Sequence, residues 1–447
     1  MAANAAANIA ERVTTDLPSL THASANPAAD GDTYAKEGTT MQALAWLGSN
    51  HVGMVESKQP KLVDDHDVIL KIAATTTCGS DLHLYHGAVV EMHKGDILGH
   101  EFAGIVSEVG SAVKDVKPGD RVVASFQAAC GKCYYCKQKL SSQCLNTNTS
   151  TVENYLYGQR TAGMFGYSHL TGGWCGGQTE MVRVPFGDVN LLKLPDSVPF
   201  EKGLYLSDIL CTSYHCVKEA DVKEGSIVGI WGLGAIGLAC IKWCELKGAK
   251  RIIVVDTQER LAIAKSKFPQ VETIDFTKED VQNTIMELTK TEEAPGLDAA
   301  LDCAAGEYAQ SLLHKFARAV NLETDTPEQL NQCITSCKGI LGKVSVAALY
   351  VGITNGFNVG AAMQRGVKLM FNGQAPVHLY WQEILDEYIV TGKFDPLEVF
   401  VTHRIKLEDT AKAYTYMDEH KDDMIKCFIE TRFSEPACAG SPALTTL

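Results

Sequence analysis

A glycine-rich turn between an apolar segment and a helix-like segment constrains the fold of this chain most strongly. In "SIVGIWGLGAIGLAC", Gly232, Gly234 and Gly237 form the pattern G-x-G-x-x-G directly after a predicted strand and at the start of a predicted helix. Glycines there allow a tight turn, close approach of a pyrophosphate to the backbone, and close packing of helix on strand. The helix N-terminus adds N–H donors and a positive dipole. The turn therefore predicts a dinucleotide-binding domain.

Strands and helices alternate from Ser226 onward, through this turn and beyond it. The predicted strands "RIIVVD", "LDAALDC", "GKVSVAAL" and "VKLMF" are separated by helical segments, which indicates a doubly wound parallel sheet. Asp256 ends "RIIVVD", 22 residues after Gly234. A carboxylate at that point accepts hydrogen bonds from ribose hydroxyls and repels a 2′-phosphate, so it favours NAD over NADP. A solvated acid at a strand end is the alternative interpretation.

The preceding part of the chain has a different pattern. Residues 41–205 contain short alternating strands broken by Gly and Pro, such as "HDVILKIAA" and "FAGIVSEVG", which predict a β-rich, barrel-like domain. The later segments "YWQEILDEYIV" and "IKCFIE" predict helix and strand that rejoin it. We therefore expect an α/β protein with a β-rich domain at 41–205 and 376–434 and a dinucleotide-binding domain at 206–375.

The two ends of the chain contain few large apolar residues. Residues 1–40 are rich in Ala, Thr and Asn, and residues 435–447 in Ala, Thr and Pro, so we predict a flexible extension and a flexible tail. A mitochondrial presequence is the alternative for the extension, although its acidic residues argue against that interpretation.

Composition limits the kinds of partner. The net charge of −14 argues against nucleic acid, because phosphate binding needs clustered Lys and Arg. No apolar run is long enough to span a membrane. The chain has 15 cysteines but no secretory apolar segment, which favours a reducing, cytoplasmic location and small-molecule partners.

Four closely spaced cysteines predict a structural zinc site. The segment "CGKCYYCKQKLSSQC" has the spacing C-x2-C-x2-C-x7-C. Four thiolates close a tetrahedral shell and leave no position for substrate. An iron–sulfur cluster is the alternative, but the last spacing and the missing Pro do not match that pattern. The predicted ligands are Cys130, Cys133, Cys136 and Cys144.

The stretch "CGSDLHLYHG" predicts a second, catalytic zinc site. Cys78 and His100, the latter in "LGHEF", are zinc ligand types, and Asp208 in "LYLSDILCTSYH" is the third candidate. Three ligands leave a fourth position for a substrate oxygen, and zinc there lowers the pKa of an alcohol or polarises an aldehyde. Cys211 remains an alternative third ligand, because thiolates bind zinc readily. Glu101 is either an occasional ligand or a structural acid.

Three residues near Cys78 are predicted to serve the chemistry. Ser80 would accept a proton from the substrate alcohol, and His83 would carry it to solvent. Asp81 would orient His100 through the second ring nitrogen. Other histidines have no partner at a useful spacing, and we interpret them as structural groups: His51, His86 and His93.

Together these motifs resemble the zinc-dependent medium-chain alcohol dehydrogenases from about Met41 to Thr431. "CGSDLH", "LGHEFAGIV", "KPGDRVVASF", "LLKLPD" and "LSDILCTSYH" are most similar to the glutathione-independent formaldehyde dehydrogenase and dismutase subgroup. That subgroup carries Asp where most of these alcohol dehydrogenases carry Cys, which favours Asp208. The resemblance implies a GroES-like catalytic domain interrupted by a Rossmann domain, with an alcohol or aldehyde in the cleft between them. It implies two zinc ions and NAD per subunit and a homo-oligomer, tetramer or dimer.

The resemblance also implies cofactor contacts and alternative activities. Thr212 would lie against the nicotinamide, Lys426 near the pyrophosphate and Arg260 near the adenine. Long segments between Cys303 and Gly339 and near the substrate cleft imply tight NAD retention or altered specificity. An aldehyde dismutase that retains NAD and a catalytically inactive NAD-binding regulatory protein are the alternatives. The remaining predicted cofactor contacts are Gly79, Ala235 and Ile236.

Overall fold

The chain divides into two compact units. The computed structural model describes residues 23–31, 33–304, 326–350 and 354–447. Of these residues, those within 1–208, 376–397 and 401–447 form the first unit, and those within 209–375 and 398–400 form the second. The first boundary falls after Asp208, whereas the sequence placed it before residue 206. Most of the predicted long segment between Cys303 and Gly339 lies outside the described residues.

The strands alternate with short loops in the first unit and with helices in the second. In chain order they are β1 (Met41–Gly48), β2 (His51–Ser57), β3 (Val68–Thr75), β4 (Phe102–Val109), β5 (Arg121–Ala124), β6 (Gln127–Ala128), β7 (Gly163–Met164), β8 (Met181–Val184), β9 (Leu191–Lys193), β10 (Ile227–Trp231), β11 (Arg251–Asp256), β12 (Glu272–Asp275), β13 (Ala299–Asp302), β14 (Lys343–Val346), β15 (Lys368–Phe371), β16 (Val401–Lys406) and β17 (Lys426–Glu430).

Most helices are short. The α-helices are Gly79–Tyr85, Tyr134–Lys137, Thr151–Tyr157, Gly187–Asn190, Phe200–Gly203, Ile209–Glu219, Ala235–Leu246, Gln258–Lys267, Val281–Leu288, Glu328–Ser336, Val359–Arg365, Val377–Ile384, Pro396–Val399 and Thr410–Asp418. A π-helical turn follows at Leu385–Ile389, and 3-10 turns lie at Ser141–Gln143, His169–Thr171, Leu204–Ser207, Leu407–Asp409 and Lys421–Asp423. Across the described stretches, every helix is too short or too polar to cross a membrane.

The first unit contains a seven-stranded sheet in which β3 pairs with both β4 and β17. Its order is β16-β17-β3-β4-β5-β9, with β8 also paired to β3. β3 is almost wholly buried because its residues are nearly all apolar. The antiparallel register pairs Thr75 at the end of β3 with Phe102 at the start of β4 and with Ile429 in β17. Residues just beyond these strand ends are therefore brought together.

A six-stranded parallel sheet organises the second unit. Its order is β12-β11-β10-β13-β14-β15, and each neighbouring pair is parallel. This is the doubly wound order 3-2-1-4-5-6, in which β10 carries the glycine-rich turn at its carboxyl end. The apolar strands pack on residues such as Ile285 and Leu330 from the flanking helices. The predicted α/β fold class is confirmed.

The prediction of a flexible amino-terminal extension is corrected over its second half. Ser24 and Ala25 are buried, and their carbonyls accept hydrogen bonds from Cys175 and Ile97. Ala35 forms a bridge with Pro60. Sparse apolar residues gave no local signal for this packing, because the contacts are mainly backbone hydrogen bonds. Residues 1–22 and 32 lie outside the described part of the chain.

The predicted flexible tail is also corrected. Arg121 binds Glu435 through two hydrogen bonds of 2.8 and 2.9 Å. The Cys438 amide donates to the buried Glu201 carboxylate at 3.0 Å, and that carboxylate also pairs with Arg404 at 2.9 Å. Tail residues 435–447 thus help to satisfy buried charges, a role that depends on tertiary contacts and has no signature in the tail's own composition.

Candidate functional site

The first cluster contains four side chains that can bind a metal ion. It consists of Cys78, His100, Glu101 and Asp208, whose ligand atoms all lie within 4.8 Å of one another. Cys78 follows β3 and His100 precedes β4, so the pairing of these strands brings the two residues together. Nε2 of His100 lies 3.4 Å from Oδ2 of Asp208 and 3.8 Å from Oε1 of Glu101.

His100 is held by Asp81 in the helix Gly79–Tyr85. Oδ1 of Asp81 lies 3.0 Å from Nδ1 of His100, and Oδ2 accepts a hydrogen bond from the Cys78 amide at 3.0 Å. Burial lowers the pKa of His100, but the Asp81 carboxylate and hydrogen bonds to Asp208 and Cys78 raise it well above its ordinary value. The surroundings of Nε2 therefore favour positive charge.

Glu101 and Lys426 form a buried ion pair beside this cluster. Nζ of Lys426 lies 2.5 Å from Oε1 of Glu101, and each side chain is 1% exposed. Burial raises the pKa of Glu101, and Lys426 opposes that shift. The ammonium that was predicted to contact a pyrophosphate is therefore paired with Glu101. Oε2 of Glu101 is buried and has no hydrogen-bond partner among the described residues.

The first cluster fits a catalytic zinc ion. A thiol, an imidazole and carboxylates are ligands that zinc binds. The buried Glu101 oxygen that has no hydrogen-bond partner among the described residues could also accept such a cation. Cys78 and Asp208 are partly exposed, whereas His100 and Glu101 are buried. Two of the four ligands are therefore accessible to solvent within this unit. Of the described residues, the cluster contains Asp208 and not Cys211, the alternative ligand.

Ser80 and His83 lie in the helix that begins after Cys78. Their spacing of three residues puts them on one helix face. Ser80 is partly exposed, but His83 is only 4% exposed. The ring therefore has little contact with solvent within this unit, and the role of His83 in carrying a proton to solvent stays a prediction.

Sequence reasoning missed three residues around His100. Tyr167 and Phe126 meet its ring edge-on, with centroid distances of 5.5 and 6.2 Å. The Tyr167 hydroxyl donates to the Ser80 carbonyl at 3.2 Å. Gln178 donates to Asp81 Oδ2 at 3.4 Å. Tyr167 lies in the long segment that the resemblance placed near substrate. Phe126 ends the quoted motif "KPGDRVVASF" but was given no role there, and Gln178 belongs to none of the quoted motifs.

The second cluster consists of the four predicted structural ligands: Cys130, Cys133, Cys136 and Cys144. Their sulfur atoms all lie within 4.8 Å of one another. The amides of Lys132 and Cys133 donate to the Cys130 sulfur at 3.5 and 3.4 Å, and Asn146 donates at 3.2 Å. Hydrogen bonds from Cys133 and Cys136 lower the pKa of Cys130 far below its ordinary value. This site fits a structural zinc ion.

The glycine-rich turn fits a dinucleotide pyrophosphate. Gly232 has φ +84°, a conformation that favours glycine. A Cβ on Gly237 would lie 1.9 Å from the Gly232 carbonyl oxygen, so only glycine permits this close packing. A Cβ on Gly234 would meet nothing within 4 Å, which leaves room for a ligand beside the helix Ala235–Leu246. Ala235 and Ile236 form its first turn.

Asp256 lies at the carboxyl end of β11, next to this turn. Its two carboxylate oxygens accept hydrogen bonds from the amides of Leu233 and Thr257 at 2.6 and 2.7 Å. A carboxylate has further lone pairs for ribose hydroxyls. Arg260 follows in the helix Gln258–Lys267 and is partly exposed.

The remaining predicted cofactor contacts lie at helix starts in different units. Thr212 is partly exposed in the helix Ile209–Glu219 of the second unit. Gly79 is exposed at the start of the helix that carries Asp81, in the first unit. Their contacts with a cofactor stay predictions.

Comparison with known proteins supports one family. Residues 64–196 match the family described as "Alcohol dehydrogenase GroES-like domain". The chain is 38% identical to a zinc-type alcohol dehydrogenase-like protein of Schizosaccharomyces pombe, over 90% of this chain and 94% of that protein. It is 32% identical to a glutathione-independent formaldehyde dehydrogenase of Pseudomonas aeruginosa, over 84% of this chain and 94% of that protein.

A solved structure gives the same result. The alcohol dehydrogenase of Thermus sp. ATN1 has a TM-score of 0.72 and 28% identity, over 88% of this chain and 100% of that one. The predicted family resemblance is confirmed. The chain belongs to the zinc-type alcohol dehydrogenase-like family.

Proposed function

We propose that this protein is a zinc-dependent oxidoreductase that transfers a hydride between an alcohol or aldehyde hydrate and NAD(H). The observation that carries the proposal is the first cluster, in which Cys78, His100 and Asp208 approach one another within 4.8 Å. An inactive relative of this fold would have no need to keep a mixed, partly accessible zinc ligand set. Similarity to a formaldehyde dehydrogenase supports a small substrate.

The protein's own residues supply binding and orientation. When bound, zinc supplies a Lewis acid for a substrate oxygen, and NAD(H) supplies the acceptor or donor of the hydride. Cys78, His100 and Asp208 would hold the zinc. Asp81 engages Nδ1 of His100 and so leaves Nε2 as the ligand atom. Lys426 pairs with the buried Glu101 carboxylate and so offsets part of the cost of keeping that acid beside the ligands that would hold the zinc.

Proton transfer is assigned to the helix that begins after Cys78. Oxidation of an alcohol releases the hydroxyl proton, and the Ser80 hydroxyl would accept it while passing its own proton to His83. The shared helix face of these two residues supports this order. Tyr167 fixes the backbone of Ser80 by donating to its carbonyl.

We also propose NAD rather than NADP as the cofactor. The Asp256 carboxylate accepts the amide of Leu233 in the turn and the amide of Thr257 that follows it. These bonds hold its negative charge where a 2′-phosphate would have to lie. Thr212, Arg260, Gly79, Ala235 and Ile236 are assigned to the same cofactor.

The function is tested with purified protein of known zinc content. NADH absorbance is followed over a panel of short alcohols and aldehydes, including formaldehyde without glutathione, and with NADP in place of NAD. We expect turnover with at least one small substrate and a preference for NAD. Binding of NADH without turnover on any of the substrates would support the inactive regulatory alternative instead.

The ligand assignment is tested by two neighbouring substitutions. We expect Asp208→Ala to lose one zinc per chain and at least about 1,000-fold in kcat, because the charge stabilisation that zinc provides is worth several kcal/mol. Cys211→Ala is the matched control and should keep both zinc and turnover. The reverse result would show that Cys211 is the ligand.

Dismutation is distinguished by omitting the cofactor. If NAD stays bound during purification, aldehyde alone gives equimolar acid and alcohol, since one molecule donates the hydride and a second accepts it. Formation of neither product without added NAD would limit the activity to dehydrogenation.

We further propose that the protein is a cytoplasmic homo-oligomer. The family resemblance supports the oligomer, and the net charge of −14 together with abundant cysteine supports a reducing aqueous compartment. Light scattering after gel filtration measures the mass against the 48.4 kDa chain. Cell fractionation measures the location.

A further inference from the structure

Two histidines and an aspartate form a third cluster of potential ligands, outside the two predicted zinc sites. His93, Asp96 and His169 have ligand atoms that all lie within 4.8 Å of one another. The imidazoles stack with a centroid distance of 4.0 Å and an interplanar angle of 30°. Nε2 of His169 lies 3.2 Å from Oδ1 of Asp96. His93, interpreted from the sequence as an isolated structural histidine, therefore has two partners.

The backbone holds these side chains together from two distant segments. The His93 amide donates to Oδ2 of Asp96 at 2.7 Å, and Asp96 is only 4% exposed. The His169 amide donates to the Glu91 carbonyl at 3.0 Å. His169 starts the 3-10 turn His169–Thr171, and its ring is held by the contact with Asp96. The cluster is thus built on a fixed carboxylate, with the two imidazoles nearer the surface.

The local charges favour a cation. A hydrogen bond to Asp96 raises the pKa of His169, burial opposes this, and the charges of Asp96, Asp30 and Glu91 raise it further. Three carboxylates near two imidazoles create a negative field in a chain whose net charge is −14.

We propose that His93, Asp96 and His169 bind a divalent transition metal ion such as Zn²⁺. Two imidazoles and one carboxylate are a known ligand set for such ions, and they leave positions for water. The site differs from the first cluster in having two nitrogen ligands and no thiolate, so weaker binding is expected.

A metal ion at this site would link two segments of the chain that each contain a residue of the first cluster or of its surroundings. His93 and Asp96 precede His100 in the chain, and His169 lies two residues after Tyr167, whose ring contacts His100 at 5.5 Å. A bound ion would therefore hold the Tyr167 segment against the segment that carries His100. The site does not depend on the proposed function.

The test uses the holoprotein with its tightly bound zinc retained. Zn²⁺ is titrated in competition with a fluorescent chelator, and diethyl pyrocarbonate modification of each histidine is mapped by peptide mass spectrometry. We expect one additional equivalent of Zn²⁺ with a dissociation constant of about 10 μM or tighter. We also expect Zn²⁺ to protect His93 and His169 from modification.

Substitutions locate the additional ion. His93→Ala and His169→Ala should each raise its dissociation constant at least about tenfold while the tightly bound zinc and the unfolding midpoint stay unchanged. His93 is exposed, so His93→Ala should fold normally. If His169→Ala misfolds, the effect of His93→Ala on Zn²⁺ affinity tests the site alone. His66→Ala is the matched control, because His66 pairs with Asp64 at 2.9 Å but belongs to no three-ligand cluster in the described chain.

Three outcomes would overturn the proposal. The first is the absence of an additional equivalent in the unsubstituted protein. The second is an additional equivalent that survives in the His93 and His169 variants or disappears in His66→Ala, which would place the ion elsewhere. The third is equal modification of both cluster histidines with and without Zn²⁺, which would leave the stacked rings as a packing contact.

Discussion

At the scale of single residues, the orientation of His100 depends on a buried chain of hydrogen bonds. The Tyr414 hydroxyl donates to Gln178 at 3.0 Å, and Gln178 donates to the Thr76 carbonyl at 3.0 Å and to Asp81 at 3.4 Å. We expect Gln178→Leu to weaken zinc binding at the catalytic site about tenfold, because Asp81 loses a donor that fixes its position. Chelator competition measures the change.

The matched control for this prediction is Gln59→Leu. Gln59 also donates its side-chain amide to a backbone carbonyl, that of Thr40, but at an exposed position, so zinc affinity should not change. Equal loss of zinc from the four-cysteine site in Gln178→Leu would indicate general unfolding rather than loss of orientation at His100.

The Glu101–Lys426 pair shows how a buried charge depends on its partner. Lys426→Met should lower the free energy of unfolding by about 3–5 kcal/mol, because it leaves the Glu101 carboxylate buried without its cation. Adding Glu101→Gln should recover much of the loss. The urea midpoint measures both variants. Lys36→Met is the control, since the Lys36–Glu108 pair is exposed and should contribute no more than about 1 kcal/mol.

At the scale of elements, two glycines in one turn have different physical roles. A Cβ on Gly237 would lie 1.9 Å from the Gly232 carbonyl, whereas a Cβ on Gly234 would meet nothing within 4 Å. We expect Gly237→Ala to lower the thermal midpoint and to weaken NADH binding. Gly234→Ala should keep the midpoint yet weaken NADH binding at least about tenfold, because the methyl group would occupy the space of the pyrophosphate.

Calorimetry and NADH fluorescence measure the two effects separately. Unchanged NADH affinity in Gly234→Ala would mean that the pyrophosphate does not approach this turn. A stable Gly237→Ala protein with normal affinity would mean that the turn can relax to accept a methyl group.

The same elements show which parts of the fold sequence patterns predict. The strand, turn and helix around Gly232 were predictable because apolar periodicity and glycine placement are local signals. The packing of residues 23–31, 33–40 and 435–447 was not, because it depends on single polar contacts with distant groups. The amide of Cys438 and the carboxylate of Glu201 form one such contact, 237 residues apart.

At the scale of the whole molecule, the candidate site joins segments that are far apart in sequence. Residue types predicted Cys78 and His100, because zinc ligands are chemically recognisable wherever they occur. For the third ligand they left Asp208 and Cys211 open, and the family resemblance favoured Asp208. Nothing in the sequence paired Glu101 with Lys426, which is 325 residues away. The pairing of β3 with both β4 and β17 brings Glu101 and Lys426 together. The ligand types could therefore be predicted from the sequence, whereas the neutralising charge beside them depends on tertiary structure.

The whole molecule is therefore expected to lose its tightly bound zinc in two separate steps. The four-cysteine site has three buried thiols and a closed ligand set, whereas Cys78 and Asp208 of the first cluster are partly exposed. Dipicolinate should first remove one zinc per chain and abolish turnover with little change in the unfolding midpoint. A mercurial reagent should then release the second zinc and lower the midpoint, because the folded cysteine lobe depends on metal. Atomic absorption, turnover and calorimetry on the same samples follow both steps. Simultaneous loss of both ions, or a fall in the midpoint before turnover declines, would contradict the assignment of one open and one closed site.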